Sequence, residues 1–129
     1  MRVVIETVPH DQQRYETCGD WEWNGDTLNI RVSELGDWRM ELGVGLHEAV
    51  EAALCRHLGI TQEVVDAFDL NYEVGRQLGD LSEPGDEPNC PYARPHCIGT
   101  AVERMLLPYF GLTWGEYEDA INSLWGWRK

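Results

Sequence analysis

Residues 38–58 constrain this chain most. Apolar or small side chains recur there around most of a helix, with the polar-bearing pentad His47-Glu48-Ala49-Val50-Glu51 in the middle. At about 3.6 residues per turn, positions four apart share a face. His47 and Glu51 therefore point the same way, one turn apart. Trp38, Leu42, Leu46, Ala49, Val50 and Ala53 form one apolar stripe, and Met40, Val44, Leu54 and Leu58 flank the His47/Glu51 line. Glu41, Gly45, Glu48, Ala52 and Arg56 make up the expected solvent face. A helix apolar over most of its circumference is largely buried, and polar groups in such a setting cost free energy unless they are paired or bound. Two readings follow. Either the helix offers two ligands to one metal ion, with Glu48 to the side as a proton carrier, or His47 and Glu51 pair with each other or with Arg39 or Arg56 at an ordinary helix edge.

The surroundings predict an α+β fold. Arg2 to Val8 is rich in β-branched residues and reads as a strand ending at Pro9. Tyr15 to Trp23 and Thr27 to Val32 flank Asn24-Gly25-Asp26, a strong hairpin signal. Leu28, Ile30 and Val32 alternate with Asn29 and Arg31, as expected of a small antiparallel sheet with one buried face. Helices are expected over Asp37 to Leu58, stopped at Gly59, and over Gln62 to Leu78, capped by Thr61 and buried through Val64, Val65, Phe68 and Tyr72. Further helices are expected over Pro95 to Phe110, ended by Gly111, and over Thr113 to Leu124. Residues 79–91, with several prolines and acids, read as a loop. Nothing divides the chain, so residues 1–129 are expected to form one domain, with residues 1–33 as its sheet and 37–124 as its helical part.

The third helix repeats the feature of the first. Ile98, Val102, Met105, Leu106 and Tyr109 form its main apolar stripe, while His96, Thr100, Glu103 and Leu107 form a second line. Two helices thus each present one His and one Glu, which points to a shared site. The alternative is a surface His96 at a helix start, with Glu103 paired to Arg104 or Arg94.

His47-Glu48-x-x-Glu51 resembles the HExxH helix of the zincin metallopeptidases, with Glu51 standing where that family has its second His. The order of hairpin, motif helix and further ligand helix is also similar to a minimal zincin. The resemblance implies a gluzincin-like set of two His and one Glu: His47, Glu51 and His96 on zinc or another divalent transition metal, with Glu48 as the general base. It further implies a peptide or amide substrate, with Glu103 either the acceptor that fixes a ligand histidine or a fourth ligand. Tyr92 and Tyr109 are candidates to stabilise an oxyanion. The chain also resembles small phage-type proteins with a His-Glu-x-x-Glu helix and a Pro-Tyr-x-x-x-His segment, here Pro91 to His96.

Two other function classes compete. Glu48-x-x-Glu51 followed by Glu63-Val64-Val65-Asp66 is similar to the carboxylate pattern of MazG-type nucleoside triphosphate pyrophosphohydrolases, which would imply magnesium on acidic oxygens. The third class is a non-enzymatic acidic binding or decoy protein. It would use exposed Trp21, Trp23, Trp114, Trp125 or Trp127 and acid clusters such as Glu83, Asp86 and Glu87, or Glu116, Glu118 and Asp119. Trp125 and Trp127 would dock on their own domain or on a second copy in a homo-oligomer.

A net charge of -13 disfavours nucleic-acid binding through phosphates. No stretch of about 18 apolar residues predicts a membrane span, and the start turns acidic too soon for a signal peptide. A cytoplasmic location is therefore expected, with Cys18, Cys55, Cys90 and Cys97 as free thiols. The Cys90/Cys97 spacing matches no standard zinc motif.

Overall fold

A computed structural model describes residues 1–125. It shows a three-stranded sheet followed by four helices, the α+β class that the sequence predicts. The strands are β1 (Arg2–Val8), β2 (Gly19–Asn24) and β3 (Thr27–Ser33), in the order β1-β3-β2. β2 and β3 form the expected antiparallel hairpin, with Asn24 opposite Thr27 and Gly25 at φ 59° in the two-residue loop.

β1 departs from the antiparallel expectation, for it runs parallel to β3, with Arg2 opposite Thr27 and Val8 opposite Ser33. The connection from β1 to β2 makes this possible by crossing the end of β3, where Ser33 fastens it. The Ser33 backbone N–H donates to the Cys18 carbonyl at 2.8 Å, and its hydroxyl meets His10 Nδ1 at 2.8 Å and accepts from Gln13 Nε2 at 3.2 Å. Chain reversal is thus spent on the crossover, and β1 enters alongside β3 in the same direction.

The helices are α1 (Trp38–Leu58), α2 (Gln62–Val74), α3 (Ala93–Leu106) and α4 (Trp114–Asn122). Asp37 caps α1 by accepting from the Arg39 N–H at 2.9 Å, and Gly59 ends it at φ 74°, a conformation glycine adopts without strain. Thr61 caps α2, and Thr113 with Glu116 forms a capping box on α4. α2 stops four residues before the expected Leu78. Gly75 breaks it, and Arg76 turns back to Glu73 at 2.7 Å and to the Asp80 carbonyl at 2.6 Å. α3 begins two residues before Pro95 and tightens into a 3-10 turn, Leu107–Phe110.

Leu28, Ile30 and Val32 on β3 are buried against α1 with Trp21, Val44 and Ala52. The buried face of α1 is not the predicted stripe. Gly43, Val44, Gly45, His47, Glu51, Ala52 and Cys55 are buried, whereas Trp38 is 65 % exposed and Ala53 faces solvent. Gly45 and Ala52, expected on the solvent side, are the contact with the sheet. A Cβ on Gly45 would lie 2.8 Å from Ile5 Cγ2, so a small residue there permits close approach. α3 is rotated in the same sense. Pro95, His96, Gly99 and Glu103 are buried, and Ile98, Met105 and Tyr109 of the predicted apolar stripe are exposed. On α2, Val65 is buried and Val64 is exposed.

Two tryptophans expected as exposed, Trp21 and Trp125, are buried. Trp125 docks within this chain, edge-on to His10 and beneath the Arg76 guanidinium. Trp127 lies outside the described residues. All four cysteines are free thiols. Among the described residues, no helix is long and apolar enough to cross a membrane.

Candidate metal centre

The seam between α1 and α3 gathers the polar residues that the two helices bury. His47 and Glu51 come from α1, and His96, Gly99 and Glu103 occupy one face of α3. Gly99 lies between His96 and Glu103 and makes room for the His47 ring; a Cβ there would stand 2.9 Å from His47 Nδ1. The two imidazoles meet edge to face, with centroids 4.7 Å apart. Gly85, in a 3-10 turn over Pro84–Asp86, covers His96 so closely that a Cβ would fall 2.4 Å from its ring.

Glu51 is the hub. Its Oε2 lies 3.1 Å from His47 Nε2 and 3.2 Å from His96 Nδ1, while its Oε1 accepts from Trp21 Nε1 at 3.1 Å. The far nitrogen of each ring also faces a carboxylate. His47 Nδ1 is hydrogen-bonded to Glu103, and His96 Nε2 lies near Glu83 and Asp86. His47, Glu51, His96 and Glu103 are 5–7 % exposed. One ligand atom from each of His47, Glu51 and His96 lies within 4.8 Å of the others. The residues singled out from the sequence are therefore neighbours, and Glu103 reaches His47 from the side opposite Glu51.

His47 and Glu51 do pair with each other, as the alternative reading expects, but in a buried seam rather than at an ordinary helix edge, and Arg39, Arg56 and Arg104 are engaged elsewhere. Arg39 is held by Asp37 and the Phe110 carbonyl, both at 2.7 Å. Arg56 lies over the Trp23 ring and Arg104 over Trp114. Of the MazG-like carboxylates, Glu63 is exposed and Asp66 is engaged by Arg14 at 3.0 Å. Tyr109 is 90 % exposed, and the Tyr92 hydroxyl donates to buried Asp69, which also accepts from Tyr15 at 2.8 Å.

The electrostatics reflect two imidazoles set among carboxylates. Burial pulls the His47 imidazolium down, but Glu103 and Glu51 outweigh it and hold the pKa well above the usual histidine value. At His96 burial is likewise outweighed, by Glu51 and Glu83, and the pKa rises to about 10. Burial pushes Glu51 up, yet the two imidazoles bring it down to about 2. Glu48, expected in solvent, is half-buried beside Gly19, where a Cβ would lie 2.7 Å from its Oε1. Burial, and then the charge of Glu51, raises the Glu48 pKa well above the carboxylate range. Asp69 is pushed up to about 6, chiefly by burial.

A cavity of about 100 Å³ adjoins the seam, with His47, Glu48, Glu51, Asp69, Tyr92 and His96 among its lining residues. It has room for several water molecules. The donor set suits a borderline divalent cation, since imidazole nitrogen with carboxylate oxygen is a zinc-type combination. N and O donors about 2.0–2.2 Å from such a cation stand roughly 3–3.5 Å from one another, and the Glu51 contacts to both rings fall in that range. Sequence reasoning missed Gly85, Gly99, Trp21 and the connection of Glu83 and Asp86 to His96. The one local signal was the Glu-Pro-Gly-Asp run, read as an acidic surface cluster. Cys90 and Cys97 do not join the converging ligand atoms among the described residues.

No protein-family model matches the chain, and no curated protein or solved structure does so either.

Proposed function

We propose that this chain is a metal-dependent hydrolase acting on a peptide or amide bond, with a divalent cation held by His47, Glu51 and His96. The observation that carries the reading is the convergence of these ligand atoms in a buried seam beside a cavity that Glu48 also lines. Bound there, a zinc-type cation supplies Lewis acidity to polarise a carbonyl and to acidify a water.

The chain's own residues do the rest. Glu103 accepts the His47 Nδ1 proton, which fixes the tautomer that leaves Nε2 free to coordinate. Trp21 donates to Glu51 Oε1 and thereby orients Oε2 toward the two imidazoles. Glu48 accepts the proton of the attacking water and passes it to the leaving amine.

Replacement of Glu48 tests the proposal. Glu48→Gln is expected to keep the cation and the fold while hydrolysis of a mixed fluorogenic peptide library falls by about 100- to 10,000-fold, the usual share of a positioned acid–base group. Hydrolysis at the wild-type rate in Glu48→Gln would remove Glu48 from the mechanism.

A second reading makes the cation structural and the chain a protein-binding module. The exposed apolar side chains Trp38, Ile98, Met105 and Tyr109 favour it. In that case Glu48→Gln leaves function untouched, and cation removal loosens the α1–α3 seam.

A further inference from the structure

The imidazole of His96 has two faces, and only the Nδ1 face belongs to the set described above. Its Nε2 lies 3.1 Å from Glu83 Oε2 and 3.2 Å from Asp86 Oδ1. Yet this buried nitrogen makes no hydrogen bond among the described residues. The carboxylate oxygens stand beside the N–H direction rather than along it. Donors placed around a point have that arrangement; a donor and acceptor placed on a line do not.

Glu83, Asp86 and His96 each supply one ligand atom within 4.8 Å of the others. The nitrogen–oxygen spacings match those of the inner set, and both fall in the range of roughly 3–3.5 Å that neighbouring donors keep around a zinc-sized cation. His96 is 7 % exposed, so its nitrogen is delivered from the interior to a pair of largely exposed carboxylates. Gly85 allows this delivery, because only a residue without a side chain lets the turn between Glu83 and Asp86 close over the ring.

We propose that Glu83, Asp86 and His96 Nε2 form a second divalent-cation position, so that His96 bridges two cations held on opposite sides of its ring. This rests on the inner position reading for the bridging role alone; the outer donors are separate residues. Two carboxylates with one imidazole suit a borderline cation such as zinc or manganese better than magnesium, which prefers an all-oxygen set. Occupation of both ring nitrogens makes His96 an imidazolate. The outer cation therefore displaces one proton, which leaves to solvent past Glu83 and Asp86.

Titration of the full, metal-stripped chain with zinc, read by native mass spectrometry, tests this. The expected stoichiometry is two zinc ions for the wild type, one for the Glu83→Gln/Asp86→Asn double variant and one for His47→Ala. The double variant changes only largely exposed side chains, so its fold survives; circular dichroism checks each protein. Equal stoichiometry in the wild type and the double variant would overturn the outer position, as would a wild type that saturates at one zinc retained by the double variant. Two zinc ions in His47→Ala with one in the double variant would instead sink the inner reading while leaving the outer position standing.

Discussion

Helix α1 is buried on two sides by unlike means. Toward the sheet it places Val44, Gly45 and Ala52 against Ile5, Leu28, Ile30 and Val32, an apolar contact drawn tight by small residues. Toward α3 it places His47 and Glu51 against His96, Gly99 and Glu103, a contact equally tight but made of imidazoles and carboxylates. The first contact is stabilised by removing apolar surface from water. The second must offset the desolvation of several ionisable groups, and it stays favourable only while each has a partner. Burial therefore means different things on the two sides. The sheet side fixes the fold, and the seam gives up part of that stability to keep ionisable side chains together.

The comparison can be broken most forcefully from the sheet side. Ile30 is fully buried at the centre of β3. Ile30→Ala is expected to cost about 2–5 kcal/mol of stability through lost transfer energy and the cavity left behind. Chemical denaturation should show that loss with and without added zinc, while zinc affinity of the folded fraction stays unchanged. A fall in affinity matching the fall in stability would mean that the two sides are not separable.

From the seam side the largest expected effect is one of pH. Both histidine pKa values are raised, that of His96 to about 10, so both rings carry protons at neutral pH in the cation-free chain. A cation must displace those protons, and its affinity should rise with pH by up to about 100-fold per unit while two are displaced. The stability linked to the raised histidines has the opposite sign. It is fully present below the ordinary histidine value and is lost as pH rises through each ring's raised pKa, about 10 for His96. Glu51, depressed to about 2, contributes stability above the ordinary carboxylate value that is lost as pH falls through about 2. Calorimetric zinc titrations between pH 6 and pH 8 check the affinity slope, and a flat profile would contradict the protonated pairs.

A smaller effect sharpens the same contrast. Glu103→Gln keeps the shape of the seam but weakens the acceptor that orients His47. Zinc affinity should fall about 10- to 100-fold, the usual consequence of removing an outer partner of a ligand histidine. Unchanged affinity would make Glu103 a packing residue only.

The sheet side and the seam also differ in how legible they were in the sequence. Several helix limits followed from local chemistry: Thr61 as a cap, Gly59 and Gly111 as stops, Asn24-Gly25 as the hairpin. His47, Glu51, His96 and Glu103 stood out because each pair falls at helical spacing. The faces of α1 and α3 were misread because counting large apolar residues hides a surface built from Gly43, Gly45, Ala52 and Gly99. Such a surface is buried because something packs onto it closely, and that partner is remote in sequence. The parallel placement of β1 had no local signal for the same reason, since β3 lies about 25 residues away. Gly85 and the carboxylates beside it became meaningful only once the fold laid their turn over His96.

The most direct test of the central claim, that the α1–α3 seam holds a divalent cation, is elemental mass spectrometry of untagged protein beside its His47→Ala and His96→Ala variants. The account predicts bound zinc, manganese, iron or nickel in the wild type, reduced in His47→Ala and abolished in His96→Ala, with all three proteins folded. A wild-type protein that carries no metal and takes up none at micromolar concentration would contradict it, and would leave the seam as a cluster of mutually paired histidines and glutamates.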